Sequence, residues 1–118
     1  MAFVVGKRNG IKELLDGYTR INKADMVYDS GILIHNIIKG NSAENGDFVY
    51  VAGEYEGEKV FTAVPSASLE NFLSITPEDI EEIKLNKYKM YIESRVSKNG
   101  RQYYIAWLDA WKHIFPLL

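Results

Sequence analysis

The dipeptide Asn99-Gly100, set between Tyr88–Lys98 and Arg101–Ala110, constrains this chain more than any other feature. Both flanking runs are rich in aromatic and β-branched residues. Asn-Gly is also the preferred pair for a two-residue type I′ turn, whose central positions both need positive φ. The pattern predicts a β-hairpin. A two-residue turn pairs Val96 with Tyr103, Ser94 with Ile105 and Ile92 with Trp107 on one face, which is mostly apolar and is expected to meet the core. Arg95 with Tyr104, Glu93 with Ala106 and Tyr91 with Leu108 then share the other face. That face mixes charge with rings and is expected to meet solvent or a ligand.

A second hairpin is expected between Phe48 and Val64, turning at Glu56-Gly57. Its register sets Glu54 opposite Lys59, Ala52 opposite Phe61 and Tyr50 opposite Ala63. Val49, Val51, Gly53, Val60, Thr62 and Val64 form the aliphatic face assigned to the core, which leaves Tyr50, Lys59 and Phe61 outside. Between the hairpins the apolar period changes from two to about 3.6. Ser66 or Ser68 can cap a short helix carrying Leu69, Phe72 and Leu73. Thr76-Pro77-Glu78-Asp79 is a second helix start, with a hydroxyl cap, proline in the first turn and acids at the positive end of the dipole. Upstream, Ala24–Tyr28 and Ile32–Ile38 read as strand interrupted at Asp29-Ser30-Gly31. Lys39–Asp47 reads as a loop and Gly10–Gly17 as a short N-terminal helix.

No repeat, linker or low-complexity tract divides residues 1–118, so a single domain is expected. The order strand, strand, strand, helix, strand, strand, with a long bent first strand able to serve both halves of a small barrel, is that of the five-stranded OB-fold barrel. The fold expected is therefore mainly β: an OB barrel with a helix between strands three and four and a short N-terminal helix. An α+β sheet with helices on one face shares the same string of elements.

The absence of cysteine removes disulfides, zinc thiolates and cysteine nucleophiles. His35 and His113 are too few and too far apart for a metal pair, and no phosphate-cradling glycine loop or nucleophile elbow occurs. The expectation is a non-enzyme without metal or cofactor. Apolar runs fall short of the ~20 residues of a membrane span, and no secretory signal opens the chain, so a cytoplasmic protein without membrane contact is expected.

The net charge of −2 is unpromising for a nucleic-acid binder, but its distribution is uneven. Between Asn86 and Tyr104 five cations, Lys87, Lys89, Arg95, Lys98 and Arg101, face Glu93 alone. Lys7, Arg8, Lys12, Arg20 and Lys23 form a second basic block, whereas Glu70–Glu82 carries five acids and no base. A globally acidic chain of this kind can still present a basic face.

Glu58-Lys59-Val60-Phe61-Thr62-Ala63-Val64, an intervening helix, and the run from Lys89 through Asn99-Gly100 to Tyr104 together resemble the second half of OB-fold single-stranded-DNA-binding proteins. The small size and absent cysteine narrow the resemblance to the atypical members encoded by phages of lactic-acid bacteria. It covers about half of the chain and is a pattern of residue types. It implies a protein that coats single strands during phage replication or recombination, in the host cytoplasm, as a homodimer, in contact with replication or recombination proteins. Bacterial members carry an acidic tail ending in Pro-Phe. Here Ile114-Phe115-Pro116-Leu117-Leu118 has no acidic spacer, which puts recruitment by that route in doubt.

Binding of single strands needs cations along the phosphates and rings on the bases. The residues expected to supply them are Tyr50, Lys59 and Phe61 on the first hairpin, and Lys89, Tyr91, Arg95, Lys98, Arg101 and Tyr104 on the second. Trp107 and Ile92 are assigned to the core. The competing expectation is a protein-interaction module, a phage inhibitor or adaptor whose acidic helix imitates nucleic acid.

Overall fold

The computed structural model describes residues 3–6, 13–27, 30–44 and 46–109. The protein is mainly β. Seven strands form one curled sheet: β1 (Phe3–Gly6), β2 (Thr19–Arg20), β3 (Ile32–Ser42), β4 (Gly46–Tyr55), β5 (Glu58–Ala63), β6 (Lys89–Val96) and β7 (Gln102–Leu108). Their spatial order is β2-β5-β4-β3-β6-β7, and β1 runs parallel to the second half of β3. β3 therefore serves both halves of the sheet. Along one side it pairs with β4. Along the other it gives Ile32 and Leu33 to β6 before giving Ile37–Gly40 to β1.

The bend that makes this sharing possible is a bulge between Ile34 and Asn36, where His35 is the extra residue. A bulge increases local twist and turns the strand. Gly53 faces it, and a Cβ there would lie 2.0 Å from the Leu33 carbonyl oxygen, so only glycine lets the two backbones approach this closely.

Period-two alternation gives the inner face its residues. Ile32, Ile34 and Ile37 of β3, Val49, Val51 and Tyr55 of β4, Val60 of β5, Met90 and Ile92 of β6, and Ala106 and Leu108 of β7 form one buried cluster. Helical residues close it. Phe72 comes from α1 (Leu69–Leu73), Ile80 and Ile83 from α2 (Pro77–Leu85), and Met26 from a 3-10 turn at Lys23–Met26. Helix α2 starts as its sequence requires: Thr76 accepts from the Asp79 N–H, and the Asp79 carboxylate accepts from the Thr76 N–H.

Several expectations need correction. Seven strands among the described residues replace five, because β1 and the two-residue β2 precede the long ones, whereas both helix starts expected between the hairpins are present, as α1 and α2. Lys23–Met26 is a 3-10 turn where strand was expected, capped by the Asn22 side chain accepting from the Ala24 N–H, with Val27 making a lone parallel bridge to Ile92. Lys39–Asp47 is largely strand, since β3 continues to Ser42 and β4 begins at Gly46. Ser68 does not cap α1; its hydroxyl is taken by the Ala106 N–H at 2.8 Å. Of the expected N-terminal helix, Glu13 and Leu14 are helical and a turn follows; Gly10–Lys12 lie outside the described residues, as do Tyr28, Asp29 and Trp111–Leu118.

The hairpin β4–β5 has the expected register, with Tyr50 opposite Ala63, Ala52 opposite Phe61 and Glu54 opposite Lys59. Glu56 (φ 52) and Gly57 (φ 81) form its two-residue turn. The hairpin β6–β7 is shifted by one residue. Gly100 N–H donates to the Ser97 carbonyl, and Ser97 N–H to the Arg101 carbonyl, so Lys98-Asn99-Gly100 is a three-residue loop. Gly100 alone takes positive φ there, at 81°, as the αL residue of a bulged turn. Arg95 thus pairs with Tyr103, Glu93 with Ile105 and Tyr91 with Trp107. A slip of one exchanges the faces of one strand. In β7 the residues Tyr104, Ala106 and Leu108 point to the core, and Tyr103, Ile105 and Trp107 point away from it.

Candidate nucleic-acid interface

The sheet's outer face carries two groups of aromatic and basic side chains, separated by β3. The first group lies on β4, β5 and β2. Alternation that buries Val49 and Val51 sends Phe48 and Tyr50 outward, and the same alternation in β5 sends out Lys59 and Phe61. Their rings form a continuous run: Phe48 to Tyr50 at 5.3 Å between centroids, tilted, then Tyr50 to Phe61 at 5.8 Å, edge to face. Beside them on the same face are Ile38, the cross-strand partner of Tyr50, and Ala52, the partner of Phe61, which are 0% and 1% exposed. The three rings are themselves half-buried.

Strand β2 adds the cations. It runs parallel to β5 with Arg20 beside Phe61, and the guanidinium carbon stands 5.9 Å from that ring's centroid. The Ile21 N–H donates to the Phe61 carbonyl at 2.9 Å, holding this short strand in place. Lys59 Nζ lies 5.7 Å from the centroid of Tyr18. The Tyr18 hydroxyl is 3.1 Å from Nδ1 of His35, the bulge residue of β3. Burial, and then the neighbouring Arg20 guanidinium, hold the Lys23 ammonium below the ordinary lysine range. Glu54 stands opposite Lys59 across the strands as a counterweight.

Tyr50, Lys59 and Phe61 are therefore brought together as the sequence predicts. Phe48 joins them by the same parity and is legible in the alternation. Tyr18, Arg20 and His35 carry no such signal, because a two-residue strand has no periodicity to read and a bulge residue breaks the period it sits in.

The second group occupies the outer face of β6–β7. Tyr91 and Trp107 are stacked, 4.7 Å between centroids with 23° between planes. Gly31 lies against Tyr91: a Cβ there would come 2.8 Å from Tyr91 Cε1. The Glu93 carboxylate accepts from the Trp107 indole N–H at 2.9 Å and from Arg95 at 2.8 Å. Arg95 is thus spent on Glu93. Lys98 and Arg101 stand exposed in and beside the loop, and Lys89 is half-buried, its backbone N–H donating to the Asp109 carboxylate.

All six residues from Tyr103 to Leu108 change sides. Tyr104, Ala106 and Leu108, expected outside, face the core, and Tyr103, Ile105 and Trp107, expected in the core, are on the outer face. The three-residue loop is the cause. Among the described residues no three acidic or histidine side chains gather as a metal site, and His113 lies outside those residues. No family model, curated protein or solved structure matches this chain.

Proposed function

We propose that the protein binds single-stranded DNA without sequence preference, along the outer face of β2, β5 and β4. The observation that carries this reading is the run of rings Phe48–Tyr50–Phe61 with Arg20 and Lys59 beside it. Every base has a π-face, so stacking on such a run tolerates any sequence, while the cations meet the phosphates. Exposed Lys98 and Arg101 extend the basic surface at the β6–β7 loop.

The sheet supports the finer reading of the fold. Its five long strands run β5-β4-β3-β6-β7, the first of them in sequence is bulged and shared, and the helices fall between the third and fourth, which is the strand order of an OB barrel with β1 and β2 added. With the family resemblance, the role we assign is coating exposed strands during phage DNA replication or recombination in the host cytoplasm, without catalysis.

Fluorescence polarisation of labelled oligo-dT, with duplex DNA of equal length as competitor and at two salt concentrations, tests this directly. Saturable binding to oligo-dT that weakens with salt and resists the duplex is the expected result. The second reading rests on α2, where Glu78, Asp79, Glu81 and Glu82 are all exposed. A protein silent toward every oligonucleotide would refute DNA binding and favour an acidic surface that occupies a host protein's basic groove.

A further inference from the structure

His35 stands at the bulge of β3, the strand that both halves of the sheet share. The extra residue of a bulge has no partner in the ladder, and the local twist re-aims its side chain. Here the re-aimed ring meets the edge of the proposed platform. Nδ1 is 3.1 Å from the Tyr18 hydroxyl, and the two rings stand edge to face, 6.1 Å between centroids with 72° between planes. Tyr18 in turn carries the Lys59 ammonium 5.7 Å from its own centroid. A chain of contacts therefore runs from the bulge to Lys59, one of the two cations that the platform offers to phosphates.

A phenol and an imidazole can hold this contact in two ways. With a neutral ring the hydroxyl donates to Nδ1; with a protonated ring Nδ1–H donates to the hydroxyl oxygen. The bond survives either way, and what changes is one unit of positive charge. Imidazole is the side chain whose charge ordinarily changes between pH 5 and 8. The ionisable groups around it come from four directions. Tyr18 and Arg20 lie at the β2 edge and Lys59 on β5, while Glu54 of β4 and Lys89 of β6 both pair with Leu33, two residues before His35. Strand β1, Phe-Val-Val-Gly, carries none. Helix α2 turns Ile80 and Ile83 to the core and leaves its acids exposed, and Lys39, further along β3, donates to the Leu73 carbonyl. Among the described residues no carboxylate bonds to His35, so a charge placed on its ring is left for a bound polyanion to meet.

We infer that His35 makes the platform acid-sensitive: protonating it adds a third cation beside Lys59 and Arg20, and single strands bind more tightly as acidity rises. The inference rests on the proposed DNA binding and adds to it a positioning residue, one that acts through Tyr18 and through its charge and touches no base. The sign follows from reciprocity. A bound polyanion favours the charged ring, so the charged ring favours the polyanion by the same factor. The screened interaction of one such charge with neighbouring phosphates sets the effect at about three- to tenfold in Kd.

Polarisation of labelled oligo-dT between about pH 5.5 and pH 8, at constant ionic strength, tests this on protein whose melting curve shows it folded throughout. Thymine and phosphodiester groups do not change charge over that range. The wild type should bind about three- to tenfold tighter at the acidic end. His35→Asn keeps an acceptor near the place of Nδ1 and has no charge to gain; it should match the wild type at the alkaline end and stay flat. His113→Asn, at the other histidine of the chain, should keep the wild-type profile. A second reading needs no variant: the His35 ring protons, followed by NMR, should titrate at higher pH with oligo-dT bound than without. A flat wild type, a folded His35→Asn protein that keeps the pH dependence, a His113→Asn protein that loses it, or ring protons that titrate alike in both states would each overturn the inference while DNA binding stands. Failure to bind oligo-dT at every pH is a different result, which refutes the binding and the inference together.

Discussion

Replacing Phe61 by alanine separates the proposed platform from the fold beneath it. The ring meets Tyr50 edge to face at 5.8 Å and lies under Arg20 at 5.9 Å. An edge-to-face pair contributes about 0.5–1.5 kcal/mol beyond area burial, and an exposed cation–π contact about 0.5–1 kcal/mol. Half-burial of the side chain adds roughly 1 kcal/mol, half of what full burial gives. The stability cost is thus about 2–4 kcal/mol, which a domain stable by about 5–15 kcal/mol survives in most cases. The binding cost is a separate quantity. One lost stack is worth about 1–3 kcal/mol, or roughly 5- to 150-fold in Kd. Phe61→Tyr keeps the ring and should bind oligo-dT within about twofold of the wild type. Arg20→Ala combined with Phe61→Ala should lose less than the sum of the two, by about 0.5–1 kcal/mol, because the guanidinium is positioned by the ring it covers. The assay is polarisation of labelled oligo-dT, run on protein whose melting curve shows it folded at the working temperature. A folded Phe61→Ala protein that binds like the wild type would refute the platform.

Lys59→Ala should lower the slope of log Kd against log salt by about 0.7, the contribution of one neutralised phosphate on a single strand, as read from a salt titration. Lys39→Met removes an ammonium that donates to the Leu73 carbonyl at the end of α1, and should cost about 1–2 kcal/mol in a denaturant melt at neutral pH. Burial holds Lys39 below the ordinary lysine range against the opposing pull of Asp47. The unfolded chain therefore binds that proton more tightly, and wild-type stability should rise as pH climbs from the folded value to the ordinary one, a rise the methionine variant lacks. Deleting Lys98 leaves Asn99-Gly100 as a two-residue loop between the same partners, Ser97 and Arg101. The deletion should stay within about 1 kcal/mol of the wild type in a thermal melt, since Asn-Gly accepts the type I′ turn it then needs.

The two hairpins show which parts of this architecture a linear reading reaches. In β4–β5 the turn and the side-chain pattern agree. Glu56-Gly57 sets a register, and the aliphatic residues Val49, Val51, Val60 and Val64 fall on one side of it, so the exposed triad Tyr50, Lys59 and Phe61 follows. The helix start at Thr76 is equally local, because its two hydrogen bonds lie within four residues. Arg20 is different. Its place over Phe61 depends on a parallel pairing between segments forty residues apart, and nothing within either segment announces it.

In β6–β7 the turn and the pattern do not decide together. One parity of β7 offers Tyr103, Ile105 and Trp107, the other Tyr104, Ala106 and Leu108, and both are apolar enough to face a core. Asn-Gly serves a two-residue loop or, with Lys98, a three-residue one, and the preference between them is worth no more than about 1 kcal/mol on the scale of other turn and strand preferences. Packing contributes more. Ala106 is 3% exposed, and its N–H is bound to Ser68 Oγ at 2.8 Å, from a segment that approaches β7 closely. An indole in place of that methyl would overfill the site, at a typical cost of about 1–3 kcal/mol, and would bury an N–H that Glu93 now satisfies outside. The register of the hairpin is therefore chosen by packing at Ala106, against a segment whose Ser68 is thirty-eight residues away in sequence. The same choice puts Trp107 on the outer face, stacked on Tyr91 and tied to Glu93.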